Sequence, residues 1–254
     1  MARAAVLRRL TWAIAEVIDR IDETPSVRSM TFDVPDWLGH VPGQHIDVRL
    51  TAEDGYQAQR SYSIATPADG TRLTITVERL EDGEVSTYLT DVLEFGDRIE
   101  LRGPIGGYFV WEPSRGGPLG LIGGGSGVAP LMAMLRARVA ADSDVAVRML
   151  CSWRSADDVI YADELAAIAR EADGVSITHT LTRSAPSQGW TGRRGRFDRE
   201  SLSSLVWPPE LRPLTYVCGP TGFVEAVASV LVELGHDPRR ILTERFGPTG
   251  GDLR

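Results

Sequence analysis

An apolar run, Leu119 to Ile122, passes directly into Gly123-Gly124-Gly125-Ser126-Gly127 and then Val128-Ala129-Pro130, where a helix over Pro130 to Ala140 begins. Glycines let a backbone come close to a pyrophosphate, and a helix N-terminus supplies free N–H groups and a partial positive charge. Pro130 suits a first helical turn, where its missing N–H removes no bond. Without its context the glycine run would be only a flexible loop. Between a strand and a helix it reads as a phosphate loop.

The pattern after Pro118 agrees with that reading. Val145 to Cys151, Val175 to Leu181 and Thr215 to Val217 are short apolar runs, as expected of strands covered on both faces. Helical stretches, Asp163 to Glu171 and Thr221 to Leu234, lie between or after them. This alternation predicts a doubly wound parallel sheet of the α/β nucleotide-binding type. From Trp12 to about Val110 the period is two instead. Met30, Phe32 and Val34 alternate with polar residues, as do Ile46, Val48 and Leu50, and Leu73, Ile75 and Val77. Such runs, separated by Pro, Gly and Asp clusters, predict an antiparallel β-barrel or sandwich. One helical stretch, Val85 to Leu93, places Val85, Leu89, Val92 and Leu93 on one face. The expected organisation is an antiparallel β-barrel over 1–111, a linker over 112–117 rich in Pro, Ser and Gly, and the α/β domain over 118–254.

Composition narrows the function. The net charge of −8 argues against nucleic acid, where a basic footprint is expected. No lysine occurs, so every cation is arginine, which reads first as a coding bias. Cys151 and Cys218 are far apart and the four histidines show no ligand spacing, so neither a zinc nor an iron–sulfur site is expected. A disulfide framework is not expected either, which fits a reducing cytoplasm. Glu16 and Asp19 interrupt the apolar stretch near the start before a signal or membrane span could form, so a soluble, cytoplasmic protein is expected.

Five motifs stand in order: Arg60-Ser61-Tyr62-Ser63, Gly83-Glu84-Val85-Ser86, Gly103-Pro104-Ile105-Gly106-Gly107-Tyr108-Phe109, the glycine loop, and Cys218-Gly219-Pro220. Together they resemble the ferredoxin–NADP reductase family, over nearly the whole chain from Trp12 to Phe246. The resemblance implies bound flavin and hydride transfer from a nicotinamide. It gives Arg60 to a flavin phosphate, Tyr62 to the flat ring and Ser63 to its reactive edge; a planar guanidinium and an aromatic face suit those partners. Gly83, Val85 and Ser86 would present N–H groups and a hydroxyl to a pyrophosphate, which implies FAD rather than FMN. Taken alone, Ser86 reads equally well as an ordinary helix cap. Gly125, Gly127 and Val128 would hold the nicotinamide nucleotide. Cys218, with Gly219 and Pro220, would border the nicotinamide at the carboxyl end of a strand; without the motif it would be a buried structural cysteine. Glu244-Arg245-Phe246 resembles the family's closing acidic–x–aromatic pattern, in which the carboxylate joins a proton network and the aromatic covers the flavin. Here the chain continues to Arg254.

For the choice of nicotinamide, no carboxylate follows the strand ending at Cys151 until Asp157. Arg154, Arg183 and Arg193 resemble positions that grip a 2′-phosphate, so NADP(H) is expected ahead of NAD(H). Each could also be a solvated surface arginine. The combined expectation is an FAD-dependent reductase with Ser63, Cys218 and Glu244 at its catalytic centre. It would pass electrons from NADPH to a ferredoxin or an oxygenase component. A reductase of free flavin, an electron-transfer subunit of a larger complex, and a nucleotide sensor are the alternatives.

Overall fold

The computed structural model describes residues 10–183, 190 and 192–247; the rest of the start and the tail discussed above lie outside them. The chain begins with strands β1 (Ala13–Thr24), β2 (Val27–Asp33), β3 (His45–Thr51), β4 (Gln57–Ser63) and β5 (Arg72–Glu78). A short helix α1 (Glu84–Thr87) continues as a π turn over Tyr88–Val92, and β6 (Arg98–Ile105) completes the first half. The second half runs β7 (Leu119–Gly124), α2 (Val128–Ala140), β8 (Val147–Trp153), α3 (Ala162–Glu171), β9 (Val175–Leu181) and β10 (Arg193–Arg194). It ends with α4 (Arg199–Leu205), β11 (Leu214–Pro220), α5 (Thr221–Glu233) and β12 (Ile241–Phe246). Among the described residues, no helix is long and apolar enough to cross a membrane.

The first sheet has the order β4-β3-β6-β1-β2-β5, with every pairing antiparallel. A bridge between Ile64 and Ile75 brings its two edges together and closes it. The alternating residues Met30, Phe32, Ile46, Val48, Leu73, Ile75 and Val77 all point inward and are fully buried. Val85, Leu89 and Leu93 join them, but Val92 is 53% exposed, against the helical-face expectation. The cause is the π turn, in which Leu93 N–H bonds to Tyr88 O five residues back. That wider turn swings Val92 outward while keeping Leu93 in the core.

The second sheet is parallel, in the order β10-β9-β8-β7-β11-β12. Helices cover both faces: α4 and α5 pack over Ile122, Leu150 and Val217, while α2 and α3 pack over Leu121, Met149 and Tyr216. Helix α2 is apolar nearly all round because it is buried on both sides. Its Met134 lies close against Gly43 of the barrel half. The stretch expected as a linker contains a tight turn over Pro113–Arg115. Fully buried Trp111 pins that turn by donating to Gly116 O at 3.1 Å.

The two halves also meet through a polar ring. Arg136 of α2 bonds both carboxylate oxygens of Glu164, donates to Ala65 O of the barrel half at 2.7 Å, and lies 4.8 Å over the ring of Tyr161. The Tyr161 hydroxyl meets Thr76 Oγ1, and Thr76 meets Ser29 at 2.8 Å. Ser29 donates to Glu23, whose other oxygen accepts from the backbone N–H of Tyr161. Removing the guanidinium would leave a carbonyl and a carboxylate short of partners. Arg136→Met is therefore expected to lower unfolding stability by ~2 kcal/mol, as read from the denaturant midpoint.

Candidate active site

Strand β7 ends at Gly124 and the chain turns through Gly125–Gly127 into α2. Gly125 has φ +55°, a left-handed conformation open to glycine. A Cβ on Gly127 would stand 2.4 Å from the carbonyl oxygen of Cys218, so the loop presses directly against the end of β11. The result is a shallow cradle of backbone at a helix N-terminus, at the carboxyl ends of parallel strands.

Three groups meet beside this cradle. In the parallel register Cys218 of β11 lies opposite Glu244 of β12, and Pro220 lies opposite Phe246. Ser63, the last residue of β4, comes from the barrel and donates from its hydroxyl to Glu244 Oε2 at 3.3 Å. Cys218 Sγ is 4.0 Å from the same oxygen. Burial raises the Glu244 carboxyl from its ordinary value of 4.5 to about 7, although the Ser63 hydroxyl pulls it down. Burial, and then the neighbouring Glu244, push the Cys218 thiol well above its usual value, so it stays a neutral thiol rather than a thiolate. All three residues read from the sequence as catalytic are thus brought together, from two different halves of the chain.

Arg60 and Tyr62 share the other face of β4, opposite Val48 and Ile46. Arg60 is exposed and has no ion-pair partner among the described residues, while Tyr62 packs its ring on the barrel core. Burial raises the Tyr62 phenol above its ordinary value. The Gly83–Ser86 turn differs from expectation. The Ser86 hydroxyl is buried, donating to Gly83 O at 3.0 Å and accepting from Leu80 N–H at 3.2 Å. It therefore holds the turn instead of facing outward, nor does a side chain cap α1. The Val85 side chain is core, so only backbone N–H groups of this turn remain to face a phosphate.

The three arginines expected near a 2′-phosphate lie at the carboxyl ends of β8 and β9. Arg183 N–H bonds to Arg154 O at 2.9 Å, and Arg193 of β10 is in register with Thr180 of β9. One residue there escaped the sequence reading. Glu78 ends β5, accepts from Ser126 Oγ at 2.8 Å and lies 3.9 Å from Arg154 Nη1. Its only signal was its place on the outer face of the Thr74, Thr76, Glu78 alternation. Among the described residues no cluster could hold a metal ion.

The comparisons with known proteins decide the family. Residues 15–110 match the oxidoreductase FAD-binding domain and residues 121–229 the oxidoreductase NAD-binding domain. The chain belongs to the ferredoxin–NADP reductase family. It is similar to the glycine betaine monooxygenase reductase subunit of Pseudomonas aeruginosa, 32% identical over 251 residues, covering 96% of this chain and 68% of that one. It is also similar to ferredoxin–NADP reductase B of Sorangium cellulosum, 33% identical over 233 residues, covering 88% and 93%. Among solved structures, a cytochrome P450 reductase of Amycolatopsis superposes with TM-score 0.84 at 30% identity, covering 97% of this chain and 73% of that one. This family member is an FAD-dependent NAD(P)H reductase that hands electrons on to an acceptor.

The residues present suit both cofactors: a glycine cradle that a Cβ would fill, an exposed guanidinium on β4, and backbone donors at two turns. The buried Glu244 also makes stability depend on pH. Below pH 4.5 folded and unfolded chains both carry its proton; between pH 4.5 and about 7 only the folded chain does. The folded state therefore loses stability as pH rises through that window, by ~3 kcal/mol in all. Glu244→Gln, which cannot ionise, is expected to unfold at a higher denaturant concentration than the natural protein at pH 8 and at nearly the same one at pH 4.5.

Proposed function

We propose that this chain is an NADPH-dependent reductase delivering electrons to a separate redox protein, a ferredoxin or an oxygenase component. The observation that carries the reading is the meeting of Ser63, Cys218 and Glu244, one from the barrel and two from the ends of β11 and β12. A centre assembled from both halves suits a reaction between a group held by each. In this reading residues 1–111 hold FAD, 118–254 hold the nicotinamide nucleotide, and 112–117 join them.

Arg60 holds a flavin phosphate, Tyr62 lies along the ring, and the N–H groups of Val85 and Ser86 take the pyrophosphate at the turn that Gly83 closes by donating to Leu80 O. Gly125, Gly127 and Val128 hold the nucleotide's pyrophosphate. Gly219, Pro220 and Phe246 flank the nicotinamide, while Arg154, Arg183 and Arg193 surround the 2′-phosphate. Bound FAD supplies acceptance of an electron pair and its release one electron at a time. The protein's own part is orientation and proton handling. Glu244, titrating near neutrality, takes up or releases a proton at the buried centre while the Ser63 hydroxyl donates a hydrogen bond to it. Cys218 contributes a neutral, close-fitting thiol beside them. Support for a protein acceptor comes from relatives named as reductase subunits, of glycine betaine monooxygenase and of an aromatic O-demethylase.

The visible spectrum of the purified protein, followed during anaerobic additions, tests this directly. Bound-flavin absorbance bleached faster by NADPH than by NADH at low concentration is expected. Equal rates would remove the NADPH assignment, and turnover only with added flavin would replace a bound cofactor by a flavin substrate. The reduction rate should show an inflection near pH 7 that Glu244→Gln abolishes.

A further inference from the structure

Glu78 belongs to the barrel yet works on the other half. It closes β5, paired with Val27 of β2, and its side chain reaches the glycine loop. Oε2 accepts from Ser126 Oγ at 2.8 Å and lies 3.9 Å from where a Cβ on Gly125 would stand. Oε1 lies 3.9 Å from Arg154 Nη1. A carboxylate therefore stands between a helix N-terminus suited to pyrophosphate and an arginine placed for a 2′-phosphate. The Arg154 side chain is 61% exposed and that of Glu78 is 28% exposed, so the pair can open without desolvation of either charge.

We propose that Glu78 is a specificity-determining residue that weakens selection for the 2′-phosphate by holding Arg154. A phosphorylated ribose must draw Arg154 away from the carboxylate. An unphosphorylated ribose brings no charge to that contact. This inference rests on the assignment of Arg154 to the 2′-phosphate. It makes the nucleotide preference a balance set by both halves, since the opposing charge comes from the flavin half.

The test compares adenosine 2′,5′-bisphosphate with 5′-AMP, which share the 5′-phosphate and differ only at the 2′ position. Dissociation constants are measured by calorimetry on the FAD-loaded protein and on Glu78→Gln, Glu78→Asp, Arg154→Ala and the Glu78→Gln/Arg154→Ala double variant. The flavin spectrum of each checks that the barrel has folded, and Gln keeps an acceptor for Ser126. The preference for the bisphosphate should rise about three- to tenfold in Glu78→Gln, the scale of a solvated pair at this separation. It should rise less in Glu78→Asp, whose shorter arm retreats from Arg154, fall in Arg154→Ala, and stay at the Arg154→Ala value in the double variant. Equal tightening of both nucleotides in Glu78→Gln, or no change there while Arg154→Ala loses the preference, overturns the role of Glu78 and leaves Arg154 in place. An unchanged preference in Arg154→Ala removes the 2′-phosphate assignment itself, and this proposal with it.

Discussion

The ring of contacts from Arg136 through Tyr161, Thr76, Ser29 and Glu23 is the constraint on which the centre depends. The barrel supplies Ser63 and the parallel sheet supplies Cys218 and Glu244, so their 3.3 Å and 4.0 Å contacts exist only while the halves keep one relation. Apolar packing alone tolerates small slides, because burial is non-directional. Hydrogen bonds at a buried joint do not, since a slide leaves donors and acceptors without partners. Tyr161 illustrates the point: it takes a φ of +56°, unusual for a bulky residue, and in that position its hydroxyl and backbone N–H both reach the barrel. Fully buried Trp111, held by the turn that follows it, fixes the joint from the covalent side.

Burial then gives the centre its chemistry. Ordinary carboxylates are ionised at neutral pH, but among the described residues no cation compensates the charge of Glu244, and one serine hydroxyl eases its burial. A group titrating near pH 7 both donates and accepts protons under working conditions. The same burial removes Cys218 from nucleophilic chemistry, because a thiol held neutral is a poor nucleophile. One environment thus raises the carboxyl into the neutral range and keeps the thiol protonated, so under the proposed function proton handling falls to Glu244.

Much of the fold was legible because the two halves follow different periods. The alternation at Met30–Val34, Ile46–Leu50 and Leu73–Val77 became β2, β3 and β5 because one face of each is core. The apolar runs became β7, β8, β9 and β11 because both faces are covered. Strand β12 and helix α4 were not read: Ile241–Phe246 mixes buried and exposed residues without a clean period, and Arg199–Leu205 is short and polar. The inward Leu93 and outward Val92 could not be told apart, since periodicity assumes an unbroken α-helix and the π turn breaks it. In the site, motifs pointed to Ser63, Cys218 and Glu244, which the structure brings together, whereas no motif pointed to Glu78 or Arg136. Both act across the joint between the halves, and a linear pattern holds no record of which surfaces meet.

The absence of lysine reads as coding bias in the sequence, yet the structure gives many of the arginines work that an ammonium would do poorly. Arg49 and Arg102 lie 4.1 and 4.7 Å from the ring of Trp12 while pairing with Glu100 and Asp47. Arg148 donates to the carbonyls closing α4 and lies 4.2 Å over Trp207, and Arg138 binds the carbonyls of Val145 and Asp173. A planar guanidinium can donate in its plane and stack on its face at once; a compact ammonium cannot. Arg183, Arg193, Arg194 and Arg196 are exposed and lie near one another where β9 meets β10. In an acidic chain, a cluster of exposed guanidinium groups, one of them acting on the Asp198 carboxylate, concentrates the positive field locally. Bias can explain why these residues are arginine and not lysine; it does not by itself gather exposed guanidinium groups at one edge of the sheet.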